Sequence, residues 1–349
     1  MEISPVKCWN DGTIERKLSY GHKPSIWIDD PVRAGSKVNL TLSRHLVLTD
    51  TNGTKFVLYN GTGASHAAMQ DDGNFVLTNS SSGVMWESFD FPTDTILPGQ
   101  VLVMGQKLFS NANGTVDYST GKYRLEMQMD GNVVLSAYRI PDLGYWNSWT
   151  KDNTSVSLVF NKTTANMFVL NGSSTIYSMT ADLPSSVQGY YHRAIITDKG
   201  DFQQLYRSKV NGNGWSVAWQ AVPQPCTVNN ICSVYGFCQS SDNKEINCSC
   251  LPGYSPKDRY DTSKGCNPNE VKVFCDSNSS PSDVSIERQA NADFPNSDFS
   301  ELERVFQVDE EICRQELLND CLCEAAVLTD TTCYKKRMPI QKLFLIQIT

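Results

Sequence analysis

The sequence contains few residues of the kinds that enzymes and metal sites need. Its four histidines, His22, His45, His66 and His192, are scattered and show no metal-ligand spacing. Neither a glycine-rich phosphate loop nor the His-Arg-Asp and Asp-Phe-Gly motifs of protein kinases occur, and Gly-x-Ser-x-Gly is also absent. We therefore expect this chain not to be an enzyme, and we expect no metal and no cofactor.

Positive charge and long apolar runs are scarce as well. The 30 Lys and Arg residues face 38 Asp and Glu, for a formal net charge of −8. Such a chain is poorly suited to bind nucleic acid or an anionic membrane. The apolar run at residues 343–348 is too short to span a bilayer, and charged residues interrupt positions 1–20, so no transmembrane segment or signal peptide is predicted.

Cysteine is nearly absent from the first 225 residues, where Cys8 stands alone, and the other eleven cysteines follow. A dense cysteine block indicates a disulfide framework formed in an oxidising compartment. Ten Asn-x-Ser/Thr sequons fit a secreted glycoprotein better than chance. The predicted glycosylation sites are Asn39, Asn52, Asn60, Asn79, Asn113, Asn153, Asn161, Asn171, Asn247 and Asn278. These features predict an extracellular or cell-surface location.

The first 140 residues contain short apolar runs separated by turn residues. The runs at 45–48, 56–59, 74–77 and 132–135 alternate with Asn52-Gly53, Asn60-Gly61, Asp72-Gly73 and Asp130-Gly131. Because Asn, Asp and Gly tolerate positive φ, these pairs predict tight turns between strands. Strands are also predicted at 155–160, 175–180, 194–197 and 202–206. The fold is therefore expected to be mainly β, with one good helix at 309–318 that Asp309 can cap.

Two copies of one strand-turn unit carry the polar side chains best suited to a ligand. They supply Gln70, Asp72, Asn74 and Val76, and again Gln128, Asp130, Asn132 and Val134. At alternate positions of a strand these residues would share one face. Amide and carboxylate groups beside a small apolar wall suit the hydroxyls and the C–H face of a sugar. A purely structural role, as turn and core, is an equally good interpretation.

Both segments resemble the Gln-x-Asp-x-Asn-x-Val-x-Tyr motif of monocot mannose-binding lectins. Four of the five signature positions match in each copy, while Thr78 and Ser136 stand where the family has Tyr. The resemblance implies a bulb-type lectin β-prism that binds mannose-type glycans. The two departures predict a lower affinity for monosaccharides.

The stretch at residues 86–100 closely resembles the Trp-x-Ser-Phe-Asp-x-Pro-Thr-Asp-Thr-Leu-Leu-Pro-Gly-Gln signature of S-domain receptor kinases. Asp90 and Asp94 within it could suggest a glycosidase, but capped turns explain them better. Residues 197–206 resemble a strand of the S-locus glycoprotein domain.

The six cysteines of residues 226–266 resemble an EGF-like module. The resemblance implies the pairs Cys226–Cys238, Cys232–Cys248 and Cys250–Cys266, whereas spacing alone allows any of about fifteen connectivities. A zinc site is a weak alternative because no Cys-x-x-Cys pair and no nearby histidine is present. Acidic residues are absent just before the first cysteine, so no calcium is predicted.

The last unit resembles a PAN/apple domain. The resemblance implies the pairs Cys313–Cys333 and Cys275–Cys321. Leu317 replaces the cysteine that would pair with Cys323, which predicts a free thiol there, and Cys8 is also left over.

The resemblances assign residues 1–140 to a bulb-type lectin domain with a second lectin-like half from about residue 99. Residues 141–222 are assigned to an S-locus glycoprotein-like region, 223–267 to an EGF-like module and 268–349 to a truncated PAN/apple-like domain. The first 36 residues match poorly, so the first prism is expected to lack strands.

Together the resemblances predict the sugar-binding extracellular region of a plant receptor-like serine/threonine kinase, without its kinase. The alternative is protein or peptide recognition or dimerisation with a vestigial sugar site, including a role as a soluble decoy. The expected partners are mannose-type glycans, a glycoprotein or peptide ligand, and a second copy or a receptor partner.

Overall fold

The protein is described here by a computed structural model covering residues 36–114, 116–140, 144–210, 214–241, 245–269, 286–289, 292–293, 301–320, 322–337 and 344–345. The chain divides into two compact units, residues 1–138 with 146–221, and residues 139–145 with 222–349. The described part contains 27 strands and a single α-helix, so the prediction of a mainly β fold is confirmed. No helix among these residues is both long and apolar enough to cross a membrane.

The first unit begins with two three-stranded antiparallel sheets. One comprises β1 (Lys37–Leu40), β2 (Leu46–Thr49) and β3 (Lys55–Tyr59), and the other β4 (His66–Met69), β5 (Phe75–Thr78) and β6 (Val84–Glu87). Alternate side chains of β2 and β5 point into one shared core, which contains Leu46, Leu48, Phe75 and Leu77. The apolar runs identified in the sequence therefore supply this core.

The same unit continues with three four-stranded antiparallel sheets. Their strands are β7 (Thr95–Ile96), β8 (Val101–Val103), β9 (Lys107–Asn113), β10 (Asp117–Met127), β11 (Val133–Ala137), β12 (Trp146–Asn147), β13 (Val156–Phe160), β14 (Met167–Asn171), β15 (Ser174–Ser178), β16 (Tyr190–Ile196), β17 (Phe202–Ser208) and β18 (Ser216–Gln220). The strand orders are β12-β11-β10-β9, β15-β14-β13-β8 and β18-β17-β16-β7. Strands β7 and β8 precede residue 140 yet pair with strands of the 141–222 region.

Most hairpins of the first unit close with the same turn. In the turn at residues 128–132, the Gln128 N–H donates to the Asn132 carbonyl and the Gly131 N–H donates to the Gln128 carbonyl. Gly131 has φ +87°. This is the turn in which a residue in the left-handed region follows a type I turn. Gly53 and Gly73 occupy the corresponding position in their turns, with φ of +84° and +88°.

The prediction of a tight turn at Asn60-Gly61 is wrong. Gly61 is not among the residues with positive φ, and a β-carbon built on it would overlap the Tyr59 ring. The physical reason is topological. Residues 60–65 connect β3 to β4, which belong to different sheets, so this segment does not close a hairpin.

Alanine substitutions at Gly131 and Gly53 separate backbone strain from crowding. Both glycines have positive φ, so either alanine is strained by about 1 kcal/mol. A β-carbon at Gly131 would lie 2.5 Å from the Asn153 carbonyl oxygen, whereas the space at Gly53 is open. We expect Gly131→Ala to lower the free energy of unfolding of the first unit by about 2–4 kcal/mol, and Gly53→Ala by about 1 kcal/mol. Urea unfolding followed by tryptophan fluorescence measures both, and equal losses would contradict the crowding.

The second unit contains short strands and the helix. Its strands are β19 (Gly236–Gln239), β20 (Asn247–Cys250), β21 (Tyr254–Pro256), β22 (Cys266–Pro268), β23 (Ala292–Asp293), β24 (Glu301–Phe306), β25 (Cys323–Thr329), β26 (Thr332–Arg337) and β27 (Phe344–Leu345). The sheet orders are β20-β19-β27-β23, β21-β22 and β24-β26-β25. Helix α1 spans Glu310–Leu318, and the Asp309 carboxylate accepts the Ile312 N–H at 2.9 Å. The helix and its cap are as the sequence predicts.

Four disulfides connect the described residues of this unit. Cys226 bonds to Cys238, Cys232 to Cys248 and Cys250 to Cys266, which are the pairs that the EGF-like resemblance implies. Cys313 bonds to Cys333 beneath the helix. Cys323 is a buried free thiol. Burial is the main reason that the pKa of this thiol lies above its ordinary value. Cys8, Cys275, Cys321 and Asn278 lie outside the described residues.

Candidate functional site

The first sequence motif folds into a hairpin turn between β4 and β5. The Gln70 N–H donates to the Asn74 carbonyl at 2.8 Å, so these two residues face each other across the turn. The expectation that the four motif positions, of which Val76 is the apolar one, alternate along one strand is therefore wrong for Gln70 and Asp72. The reason is Gly73, whose φ of +88° lets the chain reverse at this point.

Asn74 is the anchor of this turn. Only 4% of the residue is exposed. Its side-chain oxygen accepts the Ser88 hydroxyl at 3.1 Å and the Phe89 N–H at 3.2 Å. Its amide nitrogen donates to the Glu87 carboxylate at 2.6 Å. All of these bonds are to other residues of the protein, at positions 87–89. Asn74 therefore holds the turn against the end of β6 and the segment that follows it.

Asp72 lies half-buried at the tip of the turn. One carboxylate oxygen accepts the Asn74 N–H at 3.0 Å, and the other accepts the Lys162 ammonium at 2.8 Å. The hydrogen bond to Asp72 raises the pKa of the Lys162 ammonium above its ordinary value. Gln70 is exposed beside it. The turn thus presents an amide and a charge-assisted pair to solvent.

The outer face of β5 near this turn carries small side chains. Val76 pairs with Ala68, and Thr78 pairs with His66. Val76 is 3% exposed, whereas Ala68 is exposed. Thr78 is half-buried and stands where the lectin motif has Tyr. Thr78 lacks the ring that a Tyr would add at this position.

The second motif repeats the anchor of the first. The Asn132 side-chain oxygen accepts the Ser148 hydroxyl at 3.1 Å and the Thr150 N–H at 3.2 Å. The Asp130 carboxylate accepts the Asn132 N–H at 3.0 Å, and Asp130 is exposed. Gln128 again begins the turn. Internal repetition in the sequence therefore corresponds to repeated hydrogen bonding in three dimensions.

The outer face of the second motif differs from that of the first. Arg124 donates to the Ser136 hydroxyl at 2.9 Å, so an arginine occupies the neighbourhood of the missing Tyr. Glu126 pairs with Lys107 at 3.2 Å and with Arg124 at 3.7 Å. Glu126 is also the cross-strand neighbour of Val134. A charged network therefore crosses the face that a sugar would use here.

A cleft of about 840 Å³ opens beside the first motif. Its lining comes from residues 69–73, from parts of residues 88–100 and from β16 with neighbouring residues, and strand β7 within 88–100 pairs directly with β16. The lining includes aromatic and basic side chains: Phe91, Lys162, Tyr190, Tyr191, His192, Arg193, Lys209 and Trp215. The cleft lies wholly within the first unit.

Charge and aromatic rings are paired on the β16 side of the cleft. The Arg193 guanidinium lies 4.1 Å from the centre of the Trp215 ring, and the Lys209 ammonium lies 5.3 Å from that of Tyr191. Such geometry is favourable for cation–π contacts. Burial lowers the pKa of His192 below its ordinary value, and the nearby Lys209 charge adds to this effect. His192 is therefore neutral at pH 7.

The sequence reasoning missed the residues of the cleft and the anchors of the turns. Ser88 and Ser148 follow the motif asparagines by 14 and 16 residues, and this similar spacing could have indicated the anchors. No sequence pattern joins Lys162 to Asp72, which are ninety residues apart. The aromatic residues of β16 look like ordinary strand residues in the sequence.

The asparagines of the described sequons differ in how far their side chains are exposed to solvent. Asn52, Asn60, Asn113 and Asn247 are exposed. In contrast, the amide nitrogen of Asn171 donates to the Asn153 side-chain oxygen at 2.7 Å, and that of Asn153 donates to backbone carbonyls. Because a glycan attaches to this nitrogen, the four exposed sequons remain the better predictions.

Comparison with known proteins places these features in a family. Residues 26–115 match the model of the D-mannose binding lectin family, and residues 142–258 match that of the S-locus glycoprotein domain. The chain is 34% identical over 328 residues to the G-type lectin S-receptor-like serine/threonine-protein kinase LECRK2 of Oryza sativa subsp. japonica, covering 88% of this chain. The chain thus contains a D-mannose binding lectin domain and an S-locus glycoprotein domain, and over most of its length it is similar to G-type lectin S-receptor-like kinases.

A second relative of this family is LECRK4 of Oryza sativa subsp. indica, 32% identical over 354 residues and 95% of this chain. The chain spans 40% of the length of the first relative and 43% of the second. Among solved structures, a monocot mannose-binding lectin from Gastrodia elata is 18% identical, with a TM-score of 0.28 over 37% of this chain and 96% of that one.

Proposed function

We propose that this chain is a carbohydrate-recognition region of a plant receptor-like kinase, exposed at the cell surface, and that it binds mannose-type glycans at the first motif. The observation that carries the proposal is the asymmetry between the two motifs. Gln70 and Asp72 line an open cleft, whereas a charged network covers the face of the second motif. The chain itself acts by binding, and catalysis belongs to the kinases named among its relatives.

The chemistry of the first motif fits a sugar. The exposed Gln70 amide offers a donor and an acceptor. Asp72 has acceptor capacity beyond its bonds to the Asn74 N–H and Lys162, and Lys162 can itself donate to a hydroxyl. The Asn74 side-chain amide is fully engaged in hydrogen bonds to Glu87, Ser88 and Phe89, so in this proposal Asn74 holds the turn and does not contact the sugar. Thr78 in place of Tyr predicts weak binding of a single mannose.

The test compares two matched substitutions, Asp72→Asn and Asp130→Asn. Each substituted Asn keeps a side-chain oxygen that can accept the N–H two residues later, of Asn74 or Asn132, but it removes the carboxylate charge. Loss of a hydrogen bond to a charged group costs about 1.5–3 kcal/mol. We therefore expect Asp72→Asn to weaken binding of a mannose oligosaccharide by about tenfold to a hundredfold, and Asp130→Asn to leave it unchanged. Isothermal titration calorimetry on the secreted, disulfide-bonded chain measures both.

A second candidate function is recognition of a protein or peptide, including a second copy of the chain, with both sugar sites vestigial. The Arg124–Ser136 bond at the second motif favours it, because a vestigial site is free to acquire such a network. A soluble chain of this kind would act as a decoy for a receptor. A folded chain that binds no mannose oligosaccharide would reject the first proposal and leave this one.

A further inference from the structure

We propose that the cleft beside the first motif binds the second and third sugars of a mannose-type oligosaccharide, on a surface formed by Phe91 and Tyr190. This extended site rests on the proposed mannose site: the first motif takes one sugar, and the cleft takes the sugars attached to it. Gln70 and Asp72 line the same cleft as the two rings. Its volume of about 840 Å³ lies in the range typical of ligand pockets.

Phe91 provides an apolar ring whose orientation is fixed by its neighbours. It stacks on Trp86, with ring centres 5.4 Å apart and an angle of 17° between the ring planes. Trp86 in turn lies edge-to-face with Phe75, a buried member of the first core. Phe91 is half-buried and lines the cleft. A ring that is already held in place loses little conformational entropy when a sugar packs on it.

Tyr190 provides a second ring and a hydroxyl group. The ring lies edge-to-face with Tyr206, with ring centres 5.5 Å apart, and it is half-buried in the lining of the cleft. Among the residues that the structure describes, the Tyr190 hydroxyl has no hydrogen-bond partner, and it is not one of the buried polar atoms. A phenol both donates and accepts, so it can bind a sugar hydroxyl while its ring contacts the C–H face.

Two side-chain amides of the cleft are also available to sugar hydroxyls. Gln70, in the first motif, and Gln188, two residues before Tyr190, are both exposed and line the cleft. Neither amide has a hydrogen-bond partner within the described part of the chain. Each offers donors and an acceptor. An oligosaccharide therefore meets hydrogen-bonding groups at the first motif and again beside the Tyr190 ring.

The extended site gives a physical role to the departure from the lectin motif. Thr78 stands where the family has Tyr, so the first sugar has neither a ring nor a phenol at that position. Phe91 and Tyr190 offer two rings and one phenol to the sugars that follow. Because the contacts lie beyond the first sugar, a chain of three sugars should bind more tightly than one.

The test is calorimetric titration of the full secreted chain with mannose and with linear α-linked mannotriose. We expect mannotriose to bind at least tenfold more tightly than mannose. Tyr190→Phe keeps the ring and removes the hydroxyl, and should weaken mannotriose binding by about fivefold. Phe91→Leu removes the flat ring and keeps an apolar side chain, and should weaken it by about threefold to tenfold. Mannose binding should persist unchanged in both variants, which also shows that they fold.

Two matched variants control for the substitutions themselves. Tyr177→Phe and Phe109→Leu make the same changes at half-buried rings of the first unit that do not line the cleft. Both should leave the affinities for mannose and mannotriose unchanged.

The outcomes separate the extended site from the mannose site on which it rests. Equal affinities for mannose and mannotriose, both weakened by Asp72→Asn, would overturn the extended site and support the mannose site. Absence of binding to either sugar would overturn both. Undiminished mannotriose binding by Tyr190→Phe and Phe91→Leu would overturn the extended site, as would equal losses for mannose and mannotriose in these variants.

Discussion

Replacing Asn74 with alanine is expected to lower the free energy of unfolding of the first unit by about 3 kcal/mol, among the largest effects of any polar substitution in this unit. The side chain is 4% exposed and makes three hydrogen bonds, to Ser88, Phe89 and Glu87. Its removal leaves buried groups without partners, each at a cost of about 1–3 kcal/mol. Urea unfolding monitored by tryptophan fluorescence measures the loss.

The repeat supplies a matched comparison. Asn132→Ala removes the same kind of anchor, with bonds to Ser148 and Thr150, and should cost a similar amount. Asn60→Ala changes an exposed asparagine in a connecting loop and should alter stability by less than about 0.5 kcal/mol. If Asn74→Ala were as mild as Asn60→Ala, the anchor role of Asn74 would be wrong.

This prediction also affects how binding experiments are interpreted. Loss of sugar binding in Asn74→Ala would follow from collapse of the turn, whether or not Asn74 contacts the ligand. Asp72 and Gln70 are partly or fully exposed, so their substitution reports on the ligand more directly. The Asp72→Asn variant is therefore the sharper test of the mannose site.

Reduction of the disulfides is expected to unfold the second unit and leave the first folded. The described part of the cysteine module has few buried apolar side chains besides its cysteines, namely Val228, Ile231 and Phe237. Small domains with little core depend on disulfides, and removal of one typically costs about 2–5 kcal/mol. In contrast, residues 36–221, which form the five sheets of the first unit, contain no cysteine.

Limited proteolysis with and without a reducing agent tests this difference. We expect cleavage in the second unit after reduction, with a protected fragment that includes the first unit and retains mannose binding. The double variant Cys232→Ser/Cys248→Ser should behave like the reduced protein, whereas Cys323→Ala, which breaks no described disulfide, should resist the protease. Equal resistance of the reduced and oxidised chains would show that the core alone holds the second unit.

Local features of this protein could be predicted from the sequence because they depend on neighbouring residues. Glycines at positive φ determine the turns at Gly53, Gly73 and Gly131, and short apolar runs determine the strands between them. Asp309 caps the helix through an N–H three residues away. The same reasoning failed at Asn60-Gly61, where the chain passes between sheets and no hairpin partner follows.

The sequence by itself thus determined the β class, the repeat and the polar residues of each motif. Only the tertiary structure decided what each polar residue does, because that depends on partners distant in the chain. Asn74 anchors its turn because its side-chain oxygen accepts the Ser88 hydroxyl. The Asp72 carboxylate binds the Lys162 ammonium, which lies between β13 and β14. At the second motif, the Arg124 side chain donates to the Ser136 hydroxyl. The cleft exists because residues 88–100 lie against β16, a contact between segments about a hundred residues apart that no local pattern encodes.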